Sequence, residues 1–205
     1  MFITKMKKLK VLLCLGIAFS FIACASNNVS KVKGTVYSDE TEIIKANAVL
    51  AVSTGKTVKD EFTAKSTHVE DFASNSSVPV LVYELSLDEN TLYSLTLKSI
   101  PNGLMSLSEK NKSVMIPTVA LYDENCNLIQ NLNLVGRTVA PTTTESLLFK
   151  VTTQWEIQKS GKYYLVVKAD QSSNEGIILT VWSNGRSTDV HFKRLPYAKF
   201  SFIVE

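Results

Sequence analysis

Apolar and polar positions alternate through most of the chain. In Thr91–Ser99, Tyr93, Leu95 and Leu97 interleave with Ser94, Thr96 and Lys98. A period of two marks a strand with one buried face. Val80–Leu85, Pro117–Asp123, Leu128–Leu132, Leu147–Thr152, Lys162–Ala169, Gly176–Trp182 and Lys199–Val204 read as further strands. They favour β-branched and aromatic residues. A weaker strand is expected around Thr67–Phe72. Pro79 stands just before the Val80 strand, where a missing N–H is tolerable. Turn signals at Pro101-Asn102-Gly103, Ser160-Gly161 and Ser173-Asn174-Glu175-Gly176 separate the runs. Residues 104–116 read as a loop with a polar centre. Residues 38–53, SDETEIIKANAVLAVS, follow another period: Ile43, Ala46, Val49 and Leu50 lie near helical spacing. Ser38 or Asp39 is the candidate N-cap, and Glu40 and Glu42 suit a helix's positive end. The pattern predicts an all-β, jelly-roll-like antiparallel β-sandwich of about eight or nine strands with one short N-terminal helix.

Asp123-Glu124-Asn125-Cys126-Asn127 joins two of these strands in a hairpin. One residue of the turn is expected at positive φ, and Asn125 or Asn127 can take that conformation at low cost. A hairpin so held reads as scaffold, which leaves binding to the 104–116 loop or to an aromatic face.

The first 24 residues change the picture. Lys5, Lys7, Lys8 and Lys10 precede an apolar run from Val11 to Ala23, 13 residues long. A spanning helix needs about 20, so the run fits a secretory signal. Phe21-Ile22-Ala23-Cys24 resembles the lipobox of bacterial lipoproteins, with Phe21 where Leu is commonest. That resemblance implies a diacylglycerol on the Cys24 thiol and cleavage before it. The alternative is an ordinary signal cut near Ala25, with Cys24 lost. The expected organisation is a signal peptide over 1–23, a lipidated cysteine and tether over 24–37, an extension with the helix over 38–65, and the sandwich over 66–205. The protein would then sit on the periplasmic side of a bacterial membrane, the outer one before the inner.

Composition narrows the chemistry. The chain is 45% hydrophobic and 20% charged, ordinary for a folded domain. Without the leader's four lysines, 18 basic residues face 19 acidic ones, which leaves no overall basic excess for nucleic acid. Two histidines, His68 and His191, and three cysteines give no zinc pattern. Asp123-Glu124-Asn125 lacks the spacing of an EF-hand loop. No nucleophile motif, P-loop or dinucleotide fingerprint occurs, so no catalytic set, metal or cofactor is expected. His68 and His191 read as surface residues. The carboxylate pairs Asp39-Glu40, Asp60-Glu61, Glu70-Asp71 and Asp123-Glu124 read as solvated turns. Cys126 reads as a turn residue packed inward, with a reactive thiol as the alternative. The candidate ligand-binding residues are Trp155, Tyr164 and Trp182, with Tyr163 beside them, because exposed rings on a sandwich face stack on sugars. Strand alternation forces one of Tyr163 and Tyr164 inward.

Three segments, SSVPVLVYELSL, TLYSLTLKSIPN and PTVALYDENCNLIQNL, with the tail RLPYAKFSFIVE, resemble the maltose operon periplasmic protein family. LYDENCNLIQ followed by SGKYYLVVKA is similar to the pre-peptidase C-terminal domain. The first resemblance implies a periplasmic accessory protein of carbohydrate uptake. The expected partners are the membrane, through lipid on Cys24, and a carbohydrate or an envelope protein. A structural or protein-binding lipoprotein is the alternative, which predicts an exposed sheet edge or apolar patch in place of a groove.

Overall fold

Asp39 starts the one helix among the described residues, α1 (Glu40–Lys45). Its carboxylate accepts from the Glu42 amide at 3.0 Å and the Thr41 hydroxyl at 2.6 Å. The helix is shorter than the 38–53 pattern predicts. Asn47 takes φ +55°, a left-handed residue that ends a helix, and Leu50–Ala51 then forms a strand. The computed structural model describes residues 32–71, 76–101, 113–132, 134–139, 148–169, 177–183 and 186–205. The signal segment, Cys24, most of the tether, Phe72, Asn102-Gly103, the centre of the 104–116 loop and the Ser173–Gly176 turn lie outside these residues.

In chain order the described strands are β1 (Val36–Tyr37), β2 (Leu50–Ala51), β3 (Val58–Glu61), β4 (His68–Asp71) and β5 (Ser76–Leu87). Next come β6 (Thr91–Ser99), β7 (Ser113–Val114), β8 (Pro117–Asp123), β9 (Leu128–Leu132) and β10 (Val135–Val139). The last are β11 (Leu148–Ile157), β12 (Gly161–Ala169), β13 (Ile177–Ser183), β14 (Arg186–Arg194) and β15 (Lys199–Val204). One sheet runs β1-β4-β5-β12-β8-β9, with β2 also on β5; a second runs β10-β11-β6-β15-β3; a small third is β13-β14-β7. The long pairings are antiparallel, while β1·β4, β2·β5 and β7·β14 are parallel. The described residues thus form an all-β sandwich with one short helix. Fifteen described strands exceed the eight or nine expected. The additions are two-residue edges and the polar strands β3, β10 and β14, which carry too little alternation to stand out.

The two large sheets close on one core. Tyr83, Leu85 and Leu87 of β5 and Leu165 and Val167 of β12 face Leu95 and Leu97 of β6, Trp155 of β11 and Phe202 of β15. The seven-stranded sheet is also covered on its other face. There Val78, Val80 and Val82, with Ala120, Tyr122 and Val166, pack against Ile43 and Ile44 of α1. Burial on both faces is why β5, β8 and β12 are nearly continuously apolar, whereas β6, solvated on one side, alternates. Lys168 pairs with Glu40 and so ties α1 to the sheet.

Pro79 lies inside β5, opposite His68, although the sequence placed it just ahead of the strand. The Val80 amide donates to Thr67 on the β4 side. Alternation turns the Pro79 nitrogen toward β12, whose pairing ends at Lys168↔Val80, so no ladder bond is lost.

Candidate functional site

The expected aromatic platform is divided between layers. Trp155 occupies an inward position of β11, opposite Tyr93. It is 4% exposed, stacks on Tyr93 at 6.2 Å, and its indole nitrogen has no hydrogen-bond partner. It fills the core and offers no ring to a ligand. Tyr163 also points inward, and its hydroxyl donates to the Lys159 carbonyl at 2.6 Å. Tyr164 points to the opposite face and packs, half-buried, against the α1 cluster. One ring in and one out is the arrangement that alternation requires. Trp182 lies on β13, and its side chain is outside the described part of the structure. Trp155 and Tyr164 therefore share no surface.

The polar candidates have structural partners. His68, expected at the surface, is fully buried. Its Nδ1 lies 2.6 Å from the Ser66 carbonyl, so Nδ1 carries the hydrogen and donates. Nε2 is buried without a partner. His191 is exposed on β14. Asp60 accepts from the Tyr83 hydroxyl at 2.9 Å, across the two large sheets. Burial and that carboxylate hold the Tyr83 phenol far above its ordinary pKa, so it stays a donor. Burial, with Glu40 and Asp39 close by, pushes Tyr122 up to about 12. Among the described residues no three His, Cys, Asp or Glu side chains are grouped to hold a metal ion.

Asp123 organises the β8–β9 turn. Its carboxylate accepts from the amides of Asn125 and Asn127 at 2.9 and 2.8 Å, and from the Asn127 side chain at 2.9 Å. Partial burial works against ionisation, but these bonds outweigh it and hold the carboxyl below its usual value. The left-handed residue is Cys126, at φ +65°, and neither Asn125 nor Asn127. Both asparagines are engaged with Asp123, and the residue between them takes the strained conformation. That conformation turns the small Cys126 side chain toward the α1 cluster, where it is partly buried.

The hairpin expected to be only scaffold also ends the sheet. β9 is the outer strand beyond β8, and Leu128 and Ile129 are 48% and 51% exposed. Sheet edges are ordinarily guarded by charge, proline or shortness. β3 carries Lys59, Asp60 and Glu61; β1 and β7 are two residues long. β10 carries Arg137, and β13, though uncharged, lies beside β10. β9, Leu-Ile-Gln-Asn-Leu, has no charge and no proline, and among the described residues no strand pairs with its outer side. Sequence reasoning missed this because which strand ends a sheet depends on long-range pairing. The absence of charge in Leu128–Leu132 was the available signal.

No family model matches the chain, and no curated protein matches it significantly in sequence. Neither family likeness read from the sequence therefore becomes a membership. Solved structures that overlap it include the pre-peptidase C-terminal domain of a collagenase from Bacillus anthracis. That match has 11% identity and a TM-score of 0.36, covering 77% of this chain and 94% of the other. CorA, a surface-associated copper-binding protein of Methylomicrobium album BG8, overlaps at 9% identity and TM-score 0.38, covering 77% and 98%. PliG, a periplasmic inhibitor of g-type lysozyme from Aeromonas hydrophila, overlaps at 11% and 0.32, covering 77% and 97%. Superpositions this loose carry no argument; the sandwich rests on the chain's own strand pairing.

Proposed function

We propose that this chain is a lipid-anchored accessory protein of the bacterial envelope that works by binding another protein. The partner adds an extended segment to the outer edge of β9. The observation that supports this reading is an uncharged, five-residue edge with Leu128 and Ile129 exposed, which no described strand pairs on its outer side although β11 of the other large sheet lies near it. In strand addition, main-chain hydrogen bonds give affinity and the alternate side chains give specificity. Leu128 and Ile129 would supply the apolar contacts. The Cys24 lipid holds the domain at the membrane, and no chemistry is performed.

A photo-reactive amino acid at Ile129, used in living cells, tests this. One discrete adduct with a second envelope protein is expected, absent when the probe is at Leu92, which is 62% exposed on the other sheet. A Gln130→Lys change should remove the adduct. Equal labelling from both positions would refute the edge. An adduct of twice the chain mass would make the partner a second copy and refute the envelope-partner reading.

A carbohydrate role keeps one supporting observation. Ser94, Thr96, Thr152, Gln154 and Gln130 line an open cleft without charge, a set of hydroxyls and amides suited to an uncharged polar ligand. Calorimetric titration with maltodextrins tests it, and Thr96→Val with Thr152→Val should abolish any heat of binding.

A further inference from the structure

The net charge of the mature chain hides a strong local pattern on the outer face of the five-stranded sheet. Strand register places residues side by side across that sheet. Lys150 is in register with Lys98, Lys98 with Ser201, and Ser201 with Lys59. Cross-strand neighbours share a face, and like charges directly opposite destabilise a sheet. Lys98 and Lys150 bring two like charges into register on that face. The next row toward one end holds Lys199 and Ile100, the latter 45% exposed. Lys59, Lys199, Ser201 and Ile100 line an open hollow of about 490 Å³ there, together with Asp60, Glu61 and Phe200, and Glu61 is the cross-strand neighbour of Lys199. At the opposite end of the sandwich lie Asp88, Glu89, Asp123, Glu124 and Glu156, together with Lys159 and Lys162.

The basic end is also where the chain enters the domain. The amides of Lys33 and Gly34 donate to the Ala64 carbonyl at 2.7 and 3.1 Å, three residues past the Glu61 end of β3. Seven residues lie between Cys24 and Val32, a reach of about 27 Å even fully extended. We propose that this lysine row is a membrane-facing surface that lies on anionic lipid headgroups. Two features carry it: charge complementarity, and a tether that enters the domain at this end and keeps it within about 27 Å of the anchor. The inference rests on the lipid anchor of the previous section. Phosphate groups would take the hollow between Lys59 and Lys199, while Ile100 meets the upper acyl region. Basic residues beside an exposed apolar one are what interfacial binding uses. The domain would then stand with its opposite end away from the lipid.

The test uses the chain from Ala25 onward, which keeps both cores whole because they lie between Ile43 and Val204. Lacking Cys24, it reports on the surface alone, and palmitate labelling of the full chain reports separately on the anchor. Cosedimentation is measured with vesicles of 30% phosphatidylglycerol in phosphatidylcholine and with phosphatidylcholine alone. Binding to the first only, released by 0.5 M NaCl, is expected. At about fivefold for each lysine near an anionic surface, Lys59→Gln with Lys199→Gln should weaken partitioning about 25-fold. The charge-matched pair Lys45→Gln with Lys162→Gln, on the helix and the other sheet, should change it less than twofold. Equal binding to both vesicles, equal loss in both variants, or displacement by 10 mM inorganic phosphate as complete as by salt would overturn the proposal.

Discussion

Replacing Tyr83 by Phe removes a single oxygen that joins the two large sheets. Tyr83 is fully buried in β5, its ring meets Phe202 edge-on at 4.6 Å, and its hydroxyl donates to Asp60 on β3. Among the described strands β3 pairs with β15 alone, and Val58 packs on the core. Hydrogen bonds to a charged group contribute about 1.5–3 kcal/mol. Asp60 is only half-buried and can rehydrate, so the lower figure applies, about 1.5 kcal/mol. The ring contacts survive the change, which leaves no cavity to add. For a domain of this size that loss lowers Tm by about 3–6 °C. Urea unfolding of the chain from Ala25 onward checks it, with an unchanged m-value. A cycle with Asp60→Asn should return a coupling of at least about 1 kcal/mol. A loss below about 0.5 kcal/mol, or additive single changes, would show that the bond does not hold the layers together.

The β8–β9 turn gives a second expectation. Cys126→Val should cost about 1–2 kcal/mol, because a β-branched residue resists the left-handed conformation, whereas Cys126→Gly should be nearly neutral; equal melting curves for Val and wild type would refute the assignment. His68 gives a pH dependence. Burial lowers its pKa in the fold, against a smaller raising effect of the bond to Ser66. Its neutral form therefore contributes stability present above the unfolded value of about 6.5, lost as pH falls through the folded value. His68→Phe should flatten the stability slope between pH 7 and 5, and an unchanged slope would acquit the histidine. At Gly34 an added Cβ would lie 1.8 Å from the Ser66 carbonyl oxygen, so Gly34→Ala should break the bonds to Ala64, cost about 2 kcal/mol and speed amide exchange at Lys33. Cys24→Ser should abolish incorporation of labelled palmitate, and equal incorporation would remove the anchor.

The strands legible in the sequence were those solvated on one face or bounded by strong turns. β6, β8, β9 and β15 have the expected ends, because alternation and Asn, Asp or Pro punctuation agree there. The helical period predicted over 38–53 runs through Leu50–Ala51, since Ala46, Val49 and Leu50 also satisfy a 3.6-residue spacing. Only Asn47 at positive φ decides the matter. β14, Arg186–Arg194, is too polar to announce itself and is held by its pairing with β13. The candidate site was less legible. Trp155 and Tyr164 are nine residues apart in sequence and face different layers. A local reading assigns a ring to one side of its own strand, but not whether that side meets water or a second sheet. The edge position of β9 and the lysine row depend on which strands become neighbours, and only long-range register supplies that.

Amide hydrogen exchange on the mature chain, free and with the protein identified by the Ile129 adduct, tests the central claim most directly. In the free chain the outward amides of Leu128–Leu132 should exchange fast, and the partner should slow alternate ones, with β3 and β10 unchanged. Slow exchange along the outer side of β9 in the free chain, or protection on binding confined to other strands, would contradict the account.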